Sequence, residues 1–235
     1  MTQIAKLERR QLSSLCLVIS GVVFVAIWFT RETPLLALAL SAVGIVSWAY
    51  VELRRYIANL WLRRALKALP YFMPVMVVGI DLQGTLLGIA VGIALGATLL
   101  ALQSKNLRIA LDRRLLGLMP RPTRTEAFTE SMFFLLPSVA QEYFHRQAWL
   151  YVLILQTGVW PWVAVLFTSI MFSVEHLVGG GGHTTPSLIN LTRWFGMGVL
   201  LATAVLLTGQ IWPAIICHAM VNAPAAIQPH LRGKL

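Results

Sequence analysis

Residues 84–102 read GTLLGIAVGIALGATLLAL, an unbroken apolar run without an ionisable side chain. Gly84, Gly88, Gly92 and Gly96 recur in it at every fourth position. On an α-helix that spacing lines them along one stripe, where a neighbouring helix can approach backbone to backbone. The run is close to the roughly 20 residues that cross a bilayer. Its glycines are read as a helix-packing face.

Similar runs lie on both sides of it. They cover about 13–30, 35–51, 68–80, 128–156, 159–177, 187–208 and 210–227. The run at 68–80 is interrupted by Pro70 and Pro74, and that at 128–156 is expected to kink near Pro137. The chain of 235 residues is 57% hydrophobic and 12% charged, too little polar surface for a water-soluble domain. Its mean hydropathy of +0.73 agrees. The expected fold is therefore all-α, a polytopic transmembrane helix bundle of about eight spans. Residues 1–127 hold the N-terminal helices and basic loops, 128–228 a second set of helices, and 229–235 a basic tail, together one compact membrane unit.

A net charge of +10 raises the question of nucleic acid, and the placement of the charges answers it. Lys6, Arg9 and Arg10 precede the first run. Arg54, Arg55, Arg63, Arg64 and Lys67 form one basic loop, and Lys105, Arg108, Arg113, Arg114, Arg121 and Arg124 another. With eight spans and both termini inside, all of these and the tail residues Arg232 and Lys234 fall on the cytoplasmic side, where Lys and Arg collect. The basicity is a topology signal, and no nucleic-acid partner is expected. Trp28, Trp160 and Trp212 near the outer boundary and Trp194 near the inner one fit an aromatic belt. The first run is longer than a signal-peptide core and is read as an uncleaved anchor. Cys16 and Cys217 form no disulfide framework or metal knuckle.

Ionisable groups at bilayer depth are costly and call for an explanation. Glu142 with Arg146, Phe172 with His176, and His218 with Asn222 are each spaced i,i+4, so each pair shares a helix face. Glu142 and Arg146 are in the order that favours a self-neutralising ion pair, and His176 alone reads equally as an interfacial histidine. Three such faces together point instead to one shared polar cavity. Two histidines and a carboxylate can carry acid–base chemistry on water or bind a metal. There is no HExxH of a zinc protease, no GxGD of an aspartyl intramembrane protease and no serine in a GxSG-like loop. Gly179–Gly182 lacks the lysine of a phosphate loop and is read as a connection, with His183 a loop histidine. No inverted repeat supports a transporter.

Gln141-Glu142-Tyr143-Phe144-His145-Arg146, Phe172-Ser173-Val174-Glu175-His176 and His218-Ala219-Met220-Val221-Asn222 resemble, in order and spacing, the three motifs of the CAAX prenyl endopeptidase type II family, also called CPBP or Abi. Those motifs are EExxxR, FxxxH and HxxxN/D, and the resemblance covers about residues 125–228. It implies an intramembrane endopeptidase that cleaves a membrane-anchored protein or peptide near its C-terminus. By that resemblance Glu142 and His176 activate water, His218 and Asn222 stabilise the oxyanion, and Gln141, Arg146 and Phe172 support the site. No cofactor is required. If a metal is bound it is zinc, on Glu142, His176 and His218. The expected setting is the plasma membrane of a bacterium or archaeon.

The first glutamate of the family motif, the usual base, is Gln141 here. A carboxamide does not take a proton near neutral pH, and losing a general base costs about 10²–10⁴-fold in rate. Three outcomes follow: Glu142 serves as base; Glu175 substitutes, although it points about 100° from His176 on an ideal helix; or the protein is a catalytically impaired relative that binds or regulates a membrane partner.

Overall fold

The computed structural model describes residues 83–156, 158–179 and 188–234 continuously, together with isolated positions between 42 and 72. The spans expected at 13–30, 35–51 and 68–80 lie wholly or largely outside the described residues, as do Gly180–Gly182 and His183. Among the described residues every regular element is helical.

The glycine-striped run forms α1, Leu86–Leu102. Thr85 caps it, accepting from the Gly88 amide at 3.4 Å. The Gln210 side chain grips Thr85, taking its backbone N–H at 2.8 Å and donating to its hydroxyl at 2.8 Å. Two short helices, α2 (Ser104–Ala110) and α3 (Arg113–Gly117), occupy the second basic loop. Asp112 caps α3 through the amides of Arg114 and Leu115.

Next comes α4, Arg124–Glu142, which starts before the expected boundary at 128 because a capping box opens it. The Thr123 hydroxyl accepts from the Glu126 amide, and the Thr123 amide donates to the Glu126 carboxylate at 2.7 Å. Pro137 lies inside α4, and the change of geometry falls at Tyr143. From there to Gln156 the chain continues as a π-helix, a wider form associated with functional positions. Then follow α5 (Pro161–Gly179), α6 (Leu188–Thr208) and α7 (Trp212–Arg232). Gly209, at φ 66°, makes the tight reversal between α6 and α7, a conformation that suits glycine.

Helix α7 packs most extensively against α4 and α1, while α5 packs against α6 and the π segment. The glycine stripe seats on α7: a Cβ at Gly92 would stand 2.9 Å from Ile216 Cβ, and one at Gly96 2.9 Å from Met220 Cβ. Gly198 of α6 meets Ser169 of α5 in the same way, its Cβ position being 3.0 Å from the Ser169 Cα. Ser131 of α4 donates to the Ala226 carbonyl of α7 at 2.5 Å. Near the same end Arg232 pairs with Glu130 at 2.5 Å. Leu150, Val165, Leu201, Val205, Ala214 and Cys217 form a shared apolar core.

Polarity is inverted relative to a protein that folds in water. Leu86 is 85% exposed and Leu207 74%, and Trp162, Val163, Leu166 and Ile170 line an open face of α5. Glu142, His145, Arg146 and His218 are buried. A hydrocarbon solvent accounts for both halves of that pattern. Among the described residues Ile189–Thr208 alone is long and apolar enough to cross a membrane; α1 joined to Leu107–Gly117 through an 87° bend also passes as a pair. Helices α4 and α7 carry the polar side chains described next, which lowers their hydropathy.

Candidate active site

Phe172 is the hub. It is fully buried on α5, with three imidazoles and one guanidinium around its ring. His176, one turn on, lies 4.3 Å away between ring centroids, His145 5.3 Å and His218 5.8 Å. The Arg146 guanidinium carbon stands 5.3 Å from the Phe172 centroid, a cation–π distance. Of the sequence-predicted residues, Arg146, His176 and His218 thus meet around Phe172.

Glu142 ends α4 and is 0% exposed. Its Oε2 accepts from Arg146 Nε at 3.0 Å and its Oε1 from His218 Nδ1–H at 2.6 Å. Both oxygens therefore face cationic or donor groups. This network needs both partners, because an unpaired buried carboxylate is strongly unfavourable. With Nδ1 committed as donor, His218 turns Nε2 to whatever else enters the site. His176 makes the equivalent choice: Nδ1–H donates to the Phe172 carbonyl at 2.8 Å, which leaves its Nε2 open. The two rings are 6.5 Å apart between centroids, and Trp194 of α6 backs His176 at 5.5 Å. Trp194, read from the sequence as part of an aromatic belt, is thus a wall of the site.

Asn222 lies one turn beyond His218 and donates from Nδ2 to Ser138 Oγ at 2.6 Å. Ser138 in turn donates to the Phe134 carbonyl at 2.8 Å, so the serine fixes the orientation of the Asn222 amide. Nothing in the sequence singled Ser138 out.

A second carboxylate sits beside the first. Glu175 Oε1 accepts from Gln141 Nε2 at 2.5 Å and from the Tyr71 hydroxyl, and Oε2 from His145 Nε2–H at 2.5 Å. Glu175 retains 18% side-chain exposure where Glu142 has none. The structure thus brings Gln141 to Glu175, and Glu142 to Arg146 and His218. It makes no hydrogen bond between Glu142 and His176. His145 and Tyr71 were not singled out from the sequence; the signal that could have found His145 is a third buried imidazole beside two motif residues.

As placed, Glu142 has both oxygens engaged by Arg146 and His218, while His176 and His218 each keep Nε2. Among the described residues no three His, Cys, Asp or Glu side chains converge as a ligand set.

Residues 125–224 match the family described as type II CAAX prenyl endopeptidase Rce1-like. That stretch contains Gln141, Glu142, Arg146, Phe172, His176, His218 and Asn222. No curated protein and no solved structure matches the chain. Helices α4 to α7, which hold the site, are thus the part of this chain that is similar to the Rce1-like type II CAAX prenyl endopeptidase family, whose members are integral membrane proteins.

Proposed function

We propose that this protein is an intramembrane endopeptidase that cleaves a membrane-anchored protein or peptide near its C-terminus with an activated water. The observation that carries the reading is the pairing of two histidines whose Nδ1 atoms are both committed, to Phe172 and Glu142, so that both Nε2 atoms remain for substrate chemistry. Water attack on an amide needs a proton acceptor, a donor to the developing oxyanion and a proton source for the leaving amine. His176 Nε2 serves the proton transfers. Protonated His218, steadied by Glu142, donates from Nε2 to the oxyanion, together with the second amide hydrogen of Asn222. Glu142 and Arg146 form the fixed charge behind His218. The apolar exterior fits a substrate that arrives through the lipid.

The test is cleavage by the purified full chain in vesicles of quenched fluorogenic peptides with a C-terminal membrane anchor. Turnover by the wild type that falls about 10²–10⁴-fold in His176→Ala supports the reading. Full activity in His176→Ala contradicts it.

Gln141 favours a second reading, a catalytically impaired relative that binds or regulates a membrane partner. That reading expects the wild type to bind the anchored peptides without turnover.

A further inference from the structure

We propose that Glu175 is the water-activating carboxylate of this site, taking over a role that its sequence neighbour His176 shares and that position 141 cannot fill. The inference rests on the endopeptidase reading and deepens it.

Three observations carry it. The first is where the carboxylate lies. Gln141 holds no acid, yet its side-chain amide is 2.5 Å from Glu175 Oε1, so a carboxylate stands beside position 141 although it is borne by another helix. The second is access. Glu142 is 0% exposed with both oxygens engaged, whereas Glu175 retains 18% exposure. A base for water must be reached by water, and among the two site carboxylates only Glu175 is open.

The third is how it is held. Gln141, Tyr71 and His145 donate to Glu175 and come from three parts of the chain, up to 104 residues away in sequence. A carboxylate accepts about four hydrogen bonds. Those three donors occupy both sites on Oε1 and one on Oε2, leaving one on Oε2 for a water. Gln141 then has a use that a glutamate would not have: an amide donor orients a neighbouring carboxylate, while a second carboxylate would repel it. The 100° offset between residues 175 and 176 turns Glu175 toward α4 and the π segment, and His176 toward Trp194. The two groups thus leave α5 on adjacent faces, Glu175 toward Gln141 and His145 and His176 toward Trp194.

Water gives a proton to Glu175 Oε2 while its oxygen attacks the scissile carbonyl carbon. The carbonyl π pair moves to oxygen, where His218 and Asn222 donate. As the C–N bond breaks, the proton held by Glu175 passes through His176 to the leaving nitrogen. The products are a carboxylic acid and an amine, and Glu175 is again ionised.

The test uses the full chain in phosphatidylcholine vesicles with two quenched peptides, one carrying a farnesylated C-terminal Cys-aliphatic-aliphatic-Met tail and one a C-terminal transmembrane anchor. Glu175→Gln is expected to lower kcat by about 10²–10⁴-fold with KM changed only a few-fold. The double exchange Gln141→Glu with Glu175→Gln returns the acid to the neighbouring position and is expected to recover at least about ten-fold over Glu175→Gln alone. Wild-type cleavage that persists undiminished in Glu175→Gln overturns the proposal and leaves the endopeptidase reading standing. A Glu175→Gln protein that loses affinity rather than kcat, and that the exchange does not rescue, also overturns it. A wild type inert on both peptides contradicts the endopeptidase reading itself.

Discussion

Gln141 on α4 donates its side-chain amide to Glu175 on α5 at 2.5 Å, joining the first motif to the residue before the second motif's histidine. An amide at position 141 is thus hydrogen-bonded to a carboxylate borne by the neighbouring helix. On the proposal that Glu175 activates water, Gln141 is a positioning group for it.

His218 and Asn222, the proposed oxyanion donors, are tested separately from the proposed base. His218→Gln and Asn222→Ala are each expected to lower kcat by about 10²–10³-fold, the usual cost of one such donor. Substrate affinity should change little, and steady-state kinetics on the anchored peptides reads both. A loss confined to KM would assign these residues to substrate binding instead.

Arg146→Ala strips Glu142 of its cation in a fully buried setting. Breaking a buried pair from one side costs about 3–5 kcal/mol, so the variant should unfold at a markedly lower temperature in detergent. Arg146→Lys should not restore stability, because the bond to Glu142 uses Nε, which lysine lacks in that geometry. Wild-type stability in Arg146→Ala would contradict the ion pair.

The glycine stripe makes a contrast that stability measurements can read. Gly96→Leu places side-chain atoms where Met220 already lies, and overpacking of this kind costs about 1–3 kcal/mol. Gly196→Ala, on an open part of α6 with nothing within 4 Å of a new Cβ, should be neutral or stabilise by about 0.4–1 kcal/mol. Equal effects at the two positions would remove the packing role of the stripe.

At the start of α4 the Thr123 amide, and then its hydroxyl, hold the Glu126 carboxyl below its ordinary value. The folded state favours the ionised form, so the cap contributes fully above the usual glutamate range and is lost as pH falls through the lower folded value. Hydrogen exchange at residues 123–127, corrected for intrinsic rates, should quicken on acidification in the wild type, and Glu126→Gln should remove that pH dependence.

The sequence carried the helices well where apolar runs end at strong signals. Runs read at 84–102 and 187–208 correspond to Leu86–Leu102 and Leu188–Thr208, because Thr85 and Gly209 mark ends there; the run read at 210–227 begins near Trp212, but its helix continues to Arg232, into the stretch expected as a tail. The four-residue glycine period likewise named the face that meets α7. The start of α4 was missed because its first turn is polar, and hydropathy does not register a capping box. Helical periodicity put Glu142 with Arg146 and His218 with Asn222 on shared faces, but it describes one helix at a time. It turned Glu175 away from His176 and said nothing of the neighbouring helix it turns toward. Tyr71, His145 and Ser138 act through contacts between elements distant in sequence, which no local pattern encodes.

The most direct measurement of the central claim is mass spectrometry of a membrane-anchored peptide incubated with the purified full chain, wild type and His176→Ala, in vesicles. The endopeptidase account predicts two fragments from one cleaved amide bond with the wild type, formed about 10²–10⁴-fold more slowly with His176→Ala. An intact peptide that binds the wild type without being cut, or equal fragment yields from both proteins, would contradict it.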